Sequence, residues 1–528
     1  MRTKNSMINI LVSCFSYGII MIGSFATRQI FANTLGLEIV GIEGGFLNVV
    51  SVLAIVELGL GVGIVYKLYK PIADKDWEQV EIILCFLRKC YFIIAFSIIG
   101  IGLICAYFVV APIKEDFSKL WLIQIFMLYV IDVVVSYLYS HKRAMFIADQ
   151  KNYINNTVHI FVQVLLFVCQ IGILKIFGSF ELYLLCKIIF RATENLIISY
   201  KFDKCYDFIN LKTKKEMLEI EKKDLFKNMK ALLCHKISGF GATTASSLII
   251  MYFISLRENG IYCNYMLIVM GLNTITGEVF NGVLASFGNL LNTSSRKKVY
   301  DNFKILYFIN FLIYSFVVSA FLCLSMPFIS LWTGEGSAFS LPITVSIAAY
   351  LYVYGIRQSI VMAKNVAGIY DPDKYMAVLG AVVTFAVSLI LAKPLGIIGV
   401  MIGNVAGIMT VPYWVQSYLV YDEMFRVSVK SYHSKFCLYT ILTAAYSIIC
   451  YAACGVVKTN TGIINFVSGS IESFGLKSFT SFHIAEIIVY FAMCVIIPNT
   501  INFILFFKTT EFKGLMRAVK SLLKKVKK

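Results

Sequence analysis

The sequence predicts an all-α polytopic membrane protein, on three observations. Of its 528 residues, 59% are hydrophobic and 15% charged. Its mean hydropathy is +0.78. Apolar stretches of about 20 residues, the length that crosses about 30 Å of hydrocarbon, recur about fourteen times. A soluble chain of this size is far more polar. The loops between stretches are mostly short, which leaves little sequence for soluble domains.

In order, the predicted spans are 8–31, 39–66, 91–112, 119–140, 154–178, 180–200, 231–256, 261–290, 304–329, 340–363, 374–392, 395–419, 434–457 and 484–507. The opening, MRTKNSMINILVSCFSYGIIM, has no small-residue cleavage site and runs on into a full-length span, so it reads as a retained first helix. That span carries Arg28 close to its end. The second span holds Glu43 and Glu57 fourteen residues apart, on roughly one helix face, among glycines that let a neighbouring backbone approach. Glu57 is a structural hydrogen-bonding group or a protonatable, ion-coupling one. A buried carboxylate suits the second role because burial favours its protonated form.

Span four places Asp132 near mid-membrane, and span six carries Lys187, Arg191 and Glu194 at i, i+4 and i+7. An unpaired cation at the bilayer centre costs roughly 2.5–3.5 kcal/mol, so a chain that keeps two offsets them with a counter-anion or a watery cavity. Asp132 is the available counter-anion if spans four and six touch. The pair is then purely structural, or it opens when an anionic ligand displaces the carboxylate, which also makes Asp132 an ion-coupling candidate.

Spans seven and eight are the second polar region. Ser238, Thr243, Thr244, Ser246 and Ser247 lie on one, and Asn264, Asn273, Thr274, Glu278, Asn281 and Asn289 on the other. Thr274, Glu278 and Asn281 share a face, as expected of a polar wall met by water or sugar hydroxyls, with Asn273 beside them. Helix-to-helix hydrogen bonding accounts equally well for the Ser and Thr residues. Span ten adds Arg357, which, like Arg28, either snorkels to the head groups or turns inward. Turned inward, Arg28, Lys187, Arg191 and Arg357 make a cationic cavity suited to phosphate or pyrophosphate, whose oxygens the planar guanidinium binds in pairs.

Orientation follows from the basic residues, because positive loops stay cytoplasmic. With the N-terminus inside, roughly 37 of the 48 basic residues fall in inner segments and about seven in outer ones. An even number of spans with both termini inside fits this asymmetry. The formal net charge of +18 then sits on one membrane face, and no nucleic-acid partner is needed to explain it.

The hydrophilic stretch 201–230 divides the chain after span six. Similar features recur on its two sides. LEIVGI from Leu37 precedes span two and RENGI from Arg257 precedes span eight. RAMFIADQKNY from Arg143 follows span four, and RQSIVMAKNVAGIYDPDKY from Arg357 lies in and after span ten. The expected domains are a six-helix lobe (1–200), a cytoplasmic linker (201–230), a second six-helix lobe (231–419), two additional spans (420–507) and a basic amphipathic tail (508–528). In the tail, apolar residues from Phe512 to Val526 repeat at helical spacing, which predicts a helix lying on the inner leaflet. The alternative is a disordered basic tail that sets topology alone.

No enzyme signature is present: there is no phosphate-binding glycine loop, no metal cluster and no nucleophile with its base. The histidines, His141, His159, His235, His433 and His483, are dispersed, and the 14 cysteines read as core residues without a disulfide framework. No cofactor is implied.

The stretch LGLEIVGIEGGFLNVVSVLAIVELGLGVGIVYKLYKPIADKD, with ADQKNY after span four and NVAGIYDPDKY after span ten, resembles the polysaccharide flippases. These belong to the multidrug, oligosaccharidyl-lipid and polysaccharide exporter superfamily. The resemblance covers nearly the whole chain in span number, charge bias and two-bundle layout, and its motifs define a packing pattern more than a chemical signature. It implies twelve core helices in two lobes around a central cavity, two further helices, and alternating access in the cell membrane. It also implies a polyprenyl-pyrophosphate-linked oligosaccharide as substrate, for capsule, O-antigen or related surface polysaccharide. Partners would be membrane lipids, H+ or Na+ as coupling ion, and the polysaccharide polymerase machinery. The rival within the superfamily is a multidrug and toxin extruder that exchanges cations, but span one here holds Arg28 and no acid, and the extra spans fit the flippases better.

Overall fold

The computed structural model describes residues 2–54, 57–211, 213, 244–369, 372, 374–472 and 478–517. Every regular element among them is a helix. Among the described residues, nine helices are long and apolar enough to cross a membrane by length and composition. The chain is a multi-pass membrane protein.

Two compact units divide it, residues 1–260 and 261–528. Unit 1 runs α1 (Arg2–Leu35), α2 (Leu37–Leu53), α3 (Glu57–Asp74), α4 (Trp77–Val110), α5 (Lys119–Tyr137), α6 (Ser140–Ala148), α7 (Asn152–Phe177) and α8 (Phe180–Cys205), then α9 (Thr244–Phe253) and the first residues of α10 (Leu256–Thr293). Its helix ends follow local chemistry. Gly36, at φ 89°, turns the chain between α1 and α2. Asp76 and Ser179 cap α4 and α8 by accepting from Gln79 N (3.1 Å) and Leu182 N (3.3 Å). Gly178, left-handed at φ 59°, ends α7. Phe31, Phe46, Phe126, Tyr129 and Phe180 fill the core where α1, α2, α5 and α8 meet.

Several predicted boundaries move. Span four is broken near Tyr139, and the polar sequence read as the loop after it folds as α6. Leu37 begins α2 immediately after Gly36, and Arg257 lies inside α10, so the two related motifs are helix starts rather than loops. They cross each other. A Cβ on Gly41 would stand 2.0 Å from the Leu256 carbonyl oxygen, and one on Gly260 would stand 2.0 Å from that of Leu37. Hydrogen therefore occupies both positions because no methyl fits. Asn259 secures the crossing, donating to Gly41 O at 2.8 Å and accepting from Ser247 Oγ at 2.9 Å.

Unit 2 continues with α11 (Arg296–Thr333), α12 (Leu341–Ile356), α13 (Gln358–Ala367), α14 (Lys374–Leu395), α15 (Ile397–Thr410), α16 (Pro412–Leu419) and a π-helical turn (Val420–Phe425). After these come α17 (Lys430–Thr459), α18 (Gly462–Glu472) and α19 (Ser478–Phe506). Span ten breaks at Arg357 as span four breaks at Tyr139, and Gly396 at φ 59° precedes α15 as Gly178 precedes α8. The outer segment expected as a loop at 458–483 contains α18, seated on α19 through the buried Ile464 and Ser468. Helix α11 is enclosed by α12, α17 and α19, with Phe311 stacked on Tyr439 at 4.1 Å.

A helix at 510–517 opens the tail and docks by Phe512 against Phe308 and Phe503. The rest of the tail, residues 212 and 214–243 of the linker and seventh span with Ser238 and Thr243, and the side chain of Glu57 lie outside the described residues.

Candidate functional site

Helices α5 and α8 pack together, and their contact brings Asp132, Lys187 and Arg191 into one cluster. Arg191 donates from Nε to Asp132 Oδ1 at 2.5 Å and from Nη2 to Oδ2 at 3.4 Å. Lys187 Nζ stands 3.2 Å from Oδ2. The heptad-like spacing on α8 puts both cations on the face toward α5, where one carboxylate serves two of them. The cluster therefore carries one positive charge in excess. Asp132 is buried, while the Lys187 and Arg191 side chains keep 22% and 34% of their exposure.

Arg28 of α1 is ion-paired with Glu43 of α2, both side chains largely buried. Neither of the two expected arrangements for Arg28, snorkelling or a free inward cation, anticipated this carboxylate partner. Tyr129 lies between the two clusters, feeling the charges of Glu43, Arg28 and Asp132, with Lys187 Nζ 5.4 Å from its ring centroid. Its buried hydroxyl has no hydrogen-bond partner.

The other expected site residues belong to unit 2. Arg357 caps the break between α12 and α13 and donates from Nη2 to Gln416 Oε1 of α16 at 2.8 Å. Asn273 accepts from Tyr314 of α11 at 3.1 Å, which turns it into the unit. Thr274 bonds its own helix at Met270 O (2.8 Å). Glu278 and Asn281 are exposed and touch each other at 3.4 Å. Of the expected wall, then, Glu278 and Asn281 present polar atoms outward, and Asn273 serves packing.

The structure also shows a group that the sequence did not single out. Arg143 of α6, His159 of α7 and Glu194 of α8 converge, with Arg143 Nη1 2.9 Å and His159 Nδ1 3.2 Å from Glu194 Oε1. In sequence, Arg143 reads only as the start of a motif after span four, and His159 as one of the dispersed histidines. The one signal was Glu194 on the same helix stripe as Lys187 and Arg191. Among the described residues no three His, Cys, Asp or Glu side chains are arranged to hold a metal ion.

Solved structures share this architecture. An inward-facing multidrug resistance MATE family transporter of the MOP superfamily superposes with a TM-score of 0.61 at 13% identity, over 76% of this chain and 94% of its own. The lipid II flippase MurJ, in an inward closed conformation, gives 0.57 at 13% identity over 92% and 98%. The Vibrio cholerae MATE transporter VcmN, in its bent form, gives 0.52 at 12% over 80% and 98%. The fold is that of MATE transporters and of the flippase MurJ. No family model matches the chain, and no curated protein matches it in sequence. The MurJ superposition reaches further along this chain than either MATE superposition.

Proposed function

We propose that this protein is a flippase that carries polyprenyl-pyrophosphate-linked oligosaccharide repeat units from the inner to the outer leaflet of the cell membrane, for assembly of capsule, O-antigen or a related surface polysaccharide. The diphosphate head group crosses by alternating access while the lipid tail stays in the bilayer. The observation that carries this reading is the Asp132 cluster: two cations share one carboxylate, which leaves an excess positive charge inside a span. A diphosphate is the complementary ligand, and Arg191 supplies the planar donor set for its oxygens. The Tyr129 hydroxyl would add a neutral donor, and Arg28 and Arg357 are the further cationic candidates. Glu278 and Asn281 are the polar groups offered to the saccharide. The greater reach of the MurJ superposition supports a flippase.

The MATE likeness, with the highest TM-score of the three, favours a second reading, a cation antiporter of the multidrug extrusion type. Deleting the protein separates the two. The flippase reading expects lipid-linked repeat units trapped on the inner leaflet and loss of surface glycan. Normal surface glycan with new sensitivity to cationic drugs would select the antiporter.

A further inference from the structure

Glu194 joins three helices at a single carboxylate. Its Oε1 accepts from Arg143 Nη1 at 2.9 Å, and His159 Nδ1 stands 3.2 Å from Oε1 and 3.3 Å from Oε2. Arg143 Nη2 donates to Asn195 Oδ1 at 2.9 Å, Asn195 Nδ2 donates to Val135 O at 2.6 Å, and Asn155 Nδ2 donates to the Arg143 carbonyl at 3.2 Å. An ionised carboxylate only accepts, so His159 Nδ1 must carry hydrogen, and its Nε2 then keeps a free lone pair. The His159 side chain retains 39% of its exposure against 6% for Glu194, so a proton can reach the ring while the carboxylate stays shielded.

An arginine–carboxylate pair alone would fasten these helices. The added imidazole is the side chain whose charge ordinarily changes between pH 5 and 8. With neutral His159 the trio carries no net charge. A proton taken from water onto Nε2 makes it +1, and two cations then compete for Oε1. Arg143 sits on α6, the short helix beyond the break at Tyr139, so its grip on Glu194 is one of two polar ties from that segment to α8, the other running from Lys142 to Ser199 and Asp203.

The neighbouring charges are engaged elsewhere. Lys142 of α6 is bound to Asp203 at 2.6 Å and to Ser199 at 2.7 Å, and Arg191 and Lys187 of α8 to Asp132 of α5. His141 of α6 is buried. Helix α7 carries no charged residue between Asn152 and Gly172, and α1, which packs Gly23 on Phe167, has none in its sequence between Cys14 and Phe25.

We propose that Arg143, His159 and Glu194 form a proton-binding site: uptake on His159 Nε2 weakens the hold of Arg143 on Glu194 and loosens the contact of α6 with α8, leaving Lys142 as its remaining polar tie, so that the proton gradient acts on unit 1. This rests on the transport reading only in giving the switch a cycle to drive.

Hydrogen exchange of the full chain in phosphatidylglycerol–phosphatidylethanolamine nanodiscs, corrected for intrinsic rates, tests it without any substrate. Exchange across 140–148 is expected to be about threefold or more faster at pH 5.5 than at pH 8. That response disappears in His159→Asn and in Glu194→Gln, and His159→Arg exchanges at the acid rate at both pH values. An unchanged wild-type rate, or a response that persists in His159→Asn, overturns the proposal. A response that vanishes in the variants while the deletion strain traps no lipid-linked saccharide leaves the proton site standing and removes the flippase reading. Trapped saccharide without the response does the reverse.

Discussion

Arg191 holds Asp132 through Nε at 2.5 Å while Lys187, one turn earlier on α8, holds the other oxygen of the same carboxylate at 3.2 Å. The arrangement separates stability from charge. Replacing Asp132 with Asn strands two cations and should cost about 2–3 kcal/mol, less than the about 3–5 of a fully enclosed pair because both cations keep some exposure. Arg191→Gln leaves Lys187 and Asp132 as a neutral pair. Its thermal unfolding in detergent should stay close to wild type while export of surface glycan is lost. Unfolding that drops as far as in Asp132→Asn would make Arg191 structural.

The hydroxyl of Tyr129 has no partner to lose. Tyr129→Phe should therefore unfold within about 0.5 kcal/mol of wild type. If the hydroxyl meets the ligand, export nonetheless falls. Measuring both in one preparation decides, since unchanged export removes Tyr129 from the site.

The reciprocal crossing of α2 and α10 has no room for a methyl group. Gly41→Ala and Gly260→Ala each push a Cβ onto a carbonyl oxygen and should destabilise by about 1–3 kcal/mol. Gly172→Ala, with open space around its Cβ position, should be neutral or slightly stabilising, because alanine is the better helix former. Thermal unfolding of the three variants checks the contrast.

The tail helix at 510–517 is held by an ion pair from Lys435 to Glu511 as well as by Phe512. Burial opposes ionisation of Glu511, but hydrogen bonds, that from Lys435 foremost, outweigh it and hold its pKa below the ordinary carboxylate value. A depressed carboxylate contributes stability that is complete above its unfolded pKa, about 4.3, and is lost as pH falls through the lower folded value. Docking should thus be constant from pH 8 to 5 and weaken below about pH 4. Proteolysis at residues 507–517 reads this out, and Glu511→Gln should loosen the helix at every pH.

The parts legible in sequence were those written along one helix. Lys187 and Arg191 declared a common face by their spacing, and Asp132 stood out as a carboxylate amid apolar residues. Groups assembled from separate helices were not legible. Nothing in the sequence ties Arg28 to Glu43, or Arg143 to His159 and Glu194, because each partner has an adequate local reason to be where it is. Helix α6 was missed for a related cause: SHKRAMFIA is polar enough to read as a loop, yet its apolar residues are buried where it packs on α3 and α4 as well as on α7 and α8. The helix start at Leu256 was misplaced because a connection of two residues leaves no polar gap to mark it.

The decisive measurement is leaflet exchange of a polyprenyl-pyrophosphate-linked saccharide in vesicles containing the purified full-length protein, compared with its Arg191→Glu variant. Wild-type vesicles should move the lipid-linked saccharide to the opposite leaflet, and the stably folded variant should not. Equal rates in the two, or no movement in either while a cationic dye is exchanged for protons, would contradict a cationic diphosphate site at the heart of this protein.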